Sequence, residues 1–152
     1  MDRFDILYKE DHVSKSSKEV KRLLQSKTRQ IFSYEFFDGL DLTKGDYDDL
    51  EFQFSSFNGC DLSDCNCKKS RFISTGFKNA VLKNTKLCDT RIFDADFSGA
   101  TLENTDFTGA KLRHLSFDGA RLKSIDFTKA LVLMEMDFKN AEMENCILPE
   151  SR

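Results

Sequence analysis

Between Phe97 and Phe127 a large apolar residue returns at every fifth position: Phe97, Leu102, Phe107, Leu112, Phe117, Leu122, Phe127. The residue two places before is usually small, as at Ala95, Ala100, Thr105, Ala110 and Ala120. A period of five matches neither the 3.6 residues of a helical turn nor the 2.0 of a strand. Any fold for this chain must therefore first satisfy an internal repeat. The register runs back through Ile92, Leu87, Leu82, Phe77, Phe72, Cys67, Leu62, Phe57, Phe52, Tyr47 and Leu42 to Phe37, and forward to Val132. One extra residue enters between Leu133 and Met136, and the pattern resumes at Phe138, Met143 and Leu148.

A longer period is nested in the short one. Every fourth repeat gives five phenylalanines (Phe37, Phe57, Phe77, Phe97, Phe117), and the next column five leucines (Leu42, Leu62, Leu82, Leu102, Leu122). The other two columns read Tyr47, Cys67, Leu87, Phe107, Phe127 and Phe52, Phe72, Ile92, Leu112, Val132. These columns follow if four five-residue sides close one square coil and successive coils stack in register, about 4.8 Å apart. Tight corners need left-handed backbone, and Gly39, Gly59, Asn79, Gly99, Gly119 and Asn140 stand in one column, residue types that accept it.

The repeats Ala95-Asp96-Phe97-Ser98-Gly99, Ala100-Thr101-Leu102-Glu103-Asn104 and Thr105-Asp106-Phe107-Thr108-Gly109 resemble the A-(D/N)-L-x-x consensus of the pentapeptide-repeat family. The resemblance covers about three quarters of the chain. It implies an all-β solenoid, a right-handed quadrilateral parallel β-helix of about five to six coils with a short N-terminal capping helix. The division expected is 1–34 for the lead and capping helix, 35–148 for the repeat array and 149–152 for a tail.

The lead contains Phe4, Ile6, Leu7 and Tyr8 without a sustained period. A helix is expected to start at Ser16 or Ser17 as cap, with Val20, Leu23, Leu24 and Ile31 on one side and Lys15, Lys18, Lys21, Arg22, Lys27 and Arg29 on the rest. Its expected role is to close the first coil, whose apolar interior and strand edges would otherwise be open. A membrane-directed basic helix is the alternative.

Composition narrows the function classes. A net charge of −3 argues against direct nucleic-acid binding. No apolar run approaches the length of a membrane span. The lead shows no secretory signal, and five irregularly placed Cys read as reduced thiols, so a bacterial cytoplasmic setting is expected. No catalytic constellation is visible. His12 and His114 are far apart, and His114 falls at an outward corner. Cys60, Cys65 and Cys67 point inward from different sides, which suits small buried hydrophobes better than the tetrahedral ligands of zinc. Cys88 stands at an outward position. No enzyme activity, metal or cofactor is expected.

Function is therefore expected on the surface. Residues 35–148 hold 20 acidic and 14 basic residues. Asp41, Asp46, Asp48, Asp49 and Glu51 form a candidate acidic patch in the first coil, and Asp89, Asp94 and Asp96 a second group. The fourth side instead carries Arg71, Arg91, Lys111 and Arg113 beside outward Ile73, Phe93 and Leu133, a composition typical of protein-docking surfaces. At the far end Met143, Ile147 and Leu148 are a candidate homodimer contact, end to end about a two-fold axis. The expected function is a non-enzymatic scaffold that presents a rigid surface to a protein partner. The resemblance adds an alternative: a DNA-mimicking binder of a type II topoisomerase, DNA gyrase or topoisomerase IV. A secreted effector directed to host membranes or transport machinery is a third reading.

Overall fold

A computed structural model describes residues 15–28 and 30–149 of the 152. The chain winds into a four-sided, right-handed parallel β-helix of about six turns with one helix at its N-terminal end. One side is a six-stranded parallel sheet of β1 (Ile31–Ser33), β2 (Glu51–Gln53), β3 (Arg71–Ile73), β5 (Arg91–Phe93), β7 (Lys111–Arg113) and β10 (Leu131–Val132). Another is a four-stranded sheet of β4 (Val81–Lys83), β6 (Thr101–Glu103), β9 (Arg121–Lys123) and β12 (Glu142–Glu144). A third carries the pair β8 (Leu115–Ser116) and β11 (Met136–Asp137).

The register is the twenty-residue one. Leu82 lies beside Leu102, and Leu102 beside Leu122. Phe77 and Phe97 stack with ring centroids 4.6 Å apart and planes 2° from parallel, and Phe117 follows at 5.0 Å. The extra residue shows as a step: β10 still pairs twenty back, Leu131 with Lys111, whereas Met136 pairs with Leu115 and Met143 with Leu122, twenty-one back. Past the insertion Phe138 returns to the ring column, 5.4 Å from Phe117.

Corners use left-handed backbone on all four sides, more widely than the single expected column. Gly39, Gly59, Gly99 and Gly119 have φ near +70°, and Asn79 and Asn140 sit at +57° and +55°. Asp, Asn, Lys and even Phe54 (φ +51°) take the same conformation elsewhere. The preference for Asp or Asn just before each central residue has a local cause as well. Asp41, Asp61, Asp96, Asp106, Asp126 and Asp137 each accept the N–H two residues on through Oδ1, at 2.8–3.0 Å, bending the side into a turn. Along one side, Asp41 and Asp61 give turns, and the sheet strands begin where Val81 replaces them.

Small inward residues do more than make room. Cys60, Cys65, Ser70, Thr85 and Thr105 each donate a thiol or hydroxyl to a main-chain carbonyl one coil back, those of Phe37, Leu42, Tyr47, Leu62 and Leu82. Their polar atoms are thus satisfied inside an otherwise apolar core. Burial pushes the Cys60 thiol up to about 12 and that of Cys65 to about 11, and raises Cys67 as well. Alkylation of native protein should therefore mark Cys88 and Cys146, which are half-buried, while Cys60, Cys65 and Cys67 react only after unfolding. Peptide mapping of iodoacetamide adducts measures this, and native-state labelling of Cys67 at the Cys88 rate would contradict it.

Helix α1 (Ser17–Gln25) closes the first coil. Ser16 caps it in a reciprocal box with Glu19, and Val20 and Leu24 bury against the array. Two side chains of the helix replace the missing coil below: the Ser17 hydroxyl accepts the Asp41 N–H at 3.0 Å, and Gln25 Oε1 accepts that of Asp46 at 3.0 Å. Ile31, expected on the helix, instead lies in β1 beside Glu51, and Phe32 stacks on Phe52 at 5.3 Å. The array thus begins at residue 31, one side earlier than its expected start at 35. Expectations for Phe4, Ile6, Leu7, Tyr8, His12 and Arg29 fall outside the described residues.

Candidate docking face

The six-stranded sheet gathers the residues of the expected docking side. Arg71, Arg91 and Lys111 are direct register neighbours in one outward column. Two residues along, Ile73, Phe93 and Arg113 form the next column, and Leu133 continues it, its N–H donating to the Leu112 carbonyl at 2.8 Å. Arg71, Arg91 and Lys111 are exposed, Ile73 and Phe93 half-buried, and Leu133 is 45 % exposed.

The four cations are not equivalent. Arg113 lies with its guanidinium carbon 4.3 Å from the Phe93 ring centre and 3.7 Å, by its terminal nitrogen, from Asp94. It is held on the face as a cation stacked on an aromatic ring. Arg71 reaches Glu51 at 3.9 Å. Arg91 and Lys111 have no carboxylate within ion-pair distance among the described residues.

The first-coil acids are spread over three consecutive sides. Asp41 is tied to Thr43 through both main-chain N–H and hydroxyl, which holds its carboxyl below the usual range. Asp48 forms an ion pair with Lys27, whose ammonium also reaches the Asp48 carbonyl, and Asp46 accepts from the Asn66 amide at 3.0 Å. Asp49 takes a corner position at φ +56°, and Glu51 stands on β2 around the next corner. Sequence reasoning missed Lys27 and Gln25 as the groups that meet this coil; a helix that only covers apolar surface would not require them.

The hydroxyl of Thr43 lowers Asp41, and those of Thr108 and Thr128 do the same for Asp106 and Asp126. A carboxyl depressed in the folded state stabilises at pH above its unfolded value, about 3.9, and loses that contribution as pH falls through the folded value. Melting temperature should therefore fall below about pH 4. It should fall less steeply when all three are changed to Asn, which keeps the side-chain acceptor but does not titrate. Equal slopes in the two proteins would contradict this.

The far end differs from the sides. Met143, Ile147 and Leu148 are 42–55 % exposed, and Leu131 and Met134 join them. A cleft of about 930 Å³ opens there between Val132, Leu133, Met136, Phe138 and Leu148. Among the described residues no group of three or more His, Cys, Asp or Glu could hold a metal, and no helix is long and apolar enough to cross a membrane.

A family profile described as a pentapeptide repeat region matches residues 50–127, just over half of the chain. The chain belongs to the pentapeptide-repeat family. Among solved structures, full-length QnrB1, a plasmid-mediated fluoroquinolone resistance protein, matches with a TM-score of 0.50 and 17% identity, over 84% of this chain and 81% of that one. A trypsin-treated variant of QnrB1 matches with a TM-score of 0.53 and 17% identity, over 76% of this chain. A pentapeptide repeat protein, Rfr23, of the cyanobacterium Cyanothece 51142 aligns over 85% of this chain and 98% of its own at 20% identity, with a TM-score of 0.39. The chain spans 58% of that trypsin-treated variant and 64% of a second one. None of the curated protein sequences matches. At these identities the likeness is one of fold.

Proposed function

We propose that this protein is a non-enzymatic scaffold whose six-stranded face docks onto a protein partner. The observation that carries the reading is a rigid sheet on which Arg91 and Lys111 lack an ion pair among the described residues, beside the half-exposed Ile73 and Phe93. Exposed apolar surface bordered by arginine is a common interface composition, and a sheet fixed by parallel ladders loses little entropy on binding. Among the described residues the interior of the solenoid is filled by stacked side chains. The apolar side of α1 is occupied by the array, which disfavours a membrane-inserting role for that helix. The exposed far-end residues Met143, Ile147 and Leu148 support a second contact, between two copies of the chain.

The test replaces Arg91 and Lys111 by Glu in full-length protein, with circular dichroism to confirm the fold, and compares partners captured by each protein from the native host. Loss of a specific partner is expected; identical capture would overturn the reading. The acid excess of the array and the fold shared with QnrB1 support a second reading, mimicry of DNA toward a type II topoisomerase. A supercoiling assay with gyrase separates the two, since the docking reading expects no inhibition.

A further inference from the structure

We infer that the partner segment fitting this face is an acidic amphipathic helix lying along the solenoid axis, an inference that rests on the docking reading above. Parallel, in-register pairing places Arg71, Arg91 and Lys111 directly above one another, at a strand spacing of about 4.8 Å. Like charges directly opposed in a sheet are destabilising. Here Glu51 relieves only the lowest of the three. The row therefore presents a regular cationic comb whose repulsion an anionic partner of the same pitch removes.

Few polypeptide conformations supply that pitch. An extended strand repeats on one face about every 6.6 Å and drifts out of step within two coils. An α-helix brings residues at i, i+3 and i+7 to one side, with rises of about 4.5 and 6 Å, and stays in step with three coils. The second column selects for amphipathicity. Ile73 and Phe93 lie two residues along from Arg71 and Arg91, about 6.6 Å away, Leu133 continues their column one coil beyond Lys111, and Arg113 is already engaged with Phe93 and Asp94. A helix with Glu or Asp on one stripe and Leu or Phe on the adjacent stripe meets both columns at once. The face from Arg71 to Leu131 spans four strands, about 14 Å between the outer two, which matches about ten helical residues. A phosphate backbone would satisfy the comb but leave the apolar stripe unused.

The probe is a fluorescein-labelled, staple-constrained 14-residue helix with Glu at positions 2, 5, 9 and 12 and Leu at positions 3, 6, 10 and 13. Two controls accompany it: one with Gln for Glu, and one of identical composition with the Leu stripe moved to the opposite side. Fluorescence anisotropy with full-length protein should show binding that weakens with salt. It should fall at least tenfold for either control, for Arg91→Glu with Lys111→Glu, and for Phe93→Ala. Equal binding of the opposite-stripe control, or no binding of the probe, would overturn the helix inference. Failure there leaves the docking reading standing if native partners are still lost on charge reversal, so the two outcomes are separable.

Discussion

Replacing Phe97 by Ala is expected to cost about 3–5 kcal/mol, because a buried ring is removed from a site that cannot collapse. For a domain of this size that lowers the melting midpoint by roughly 10 °C. Phe97 is fully buried between Phe77 at 4.6 Å and Phe117 at 5.0 Å. All three layers are tied by ladder bonds, Phe77 N–H to the Asp96 carbonyl, Phe97 N–H to that of Ser116 and Phe117 N–H to that of Asp137. The coils therefore cannot close the gap without breaking main-chain hydrogen bonds. The same change at half-buried Phe138, in the last coil, should cost clearly less, since one side of that ring is open. Thermal or denaturant unfolding measures both, and a Phe97→Ala cost below about 1 kcal/mol would show that the stack is not a fixed one.

Gly45→Ala is the second large effect. A Cβ at this position would lie 1.9 Å from the Tyr47 ring, which folds over the glycine so that its hydroxyl can donate to the Leu42 carbonyl at 2.7 Å. Adding the methyl forces the ring aside and breaks that buried bond. Overpacking with loss of a buried hydrogen bond is worth about 2–4 kcal/mol. The double variant Gly45→Ala with Tyr47→Leu should recover most of it, because leucine is what this column carries at Leu87 and needs no acceptor. A double variant no more stable than Gly45→Ala would mean that the glycine is required by the backbone and not by the tyrosine.

Both effects trace to features of unequal legibility. The Phe97 stack can be read from the twenty-residue period alone, and so can the step of one residue before Phe138, because stacking in register turns spacing directly into contact. Gly45 reads only as one more small inward residue; that a tyrosine two places on would fold back over it depends on a side-chain rotamer, which no period encodes. Ile31 is misplaced by sequence reasoning for a related reason. It stands seven residues after Leu24, a helical interval, whereas the competing clue is Phe32 lying twenty before Phe52. Leu50, Leu115 and Ile125 occupy positions that mostly hold small residues, yet all three are buried.

The surface is the least legible part. The side bearing Arg71, Arg91 and Lys111 follows from the register, but which cations are already engaged does not. Arg113 stands in the next column, beside Phe93, and neither its 4.3 Å approach to that ring nor its ion pair with Asp94 can be read from the period. Likewise Asp48 counts as a free acid in the sequence, whereas Lys27, arriving from the end of α1, neutralises it. Long charged side chains choose partners across coils and from the lead, at separations the five-residue period leaves open.

Methyl NOE spectroscopy on protein with labelled leucines tests the coil geometry most directly. Strong cross-peaks are expected between Leu82 and Leu102 and between Leu102 and Leu122, with none between Leu82 and Leu122, two coils apart. Absence of the first two, or a direct Leu82–Leu122 contact, would mean that residues twenty apart do not lie in adjacent layers, and the docking face built on that register would be lost with it.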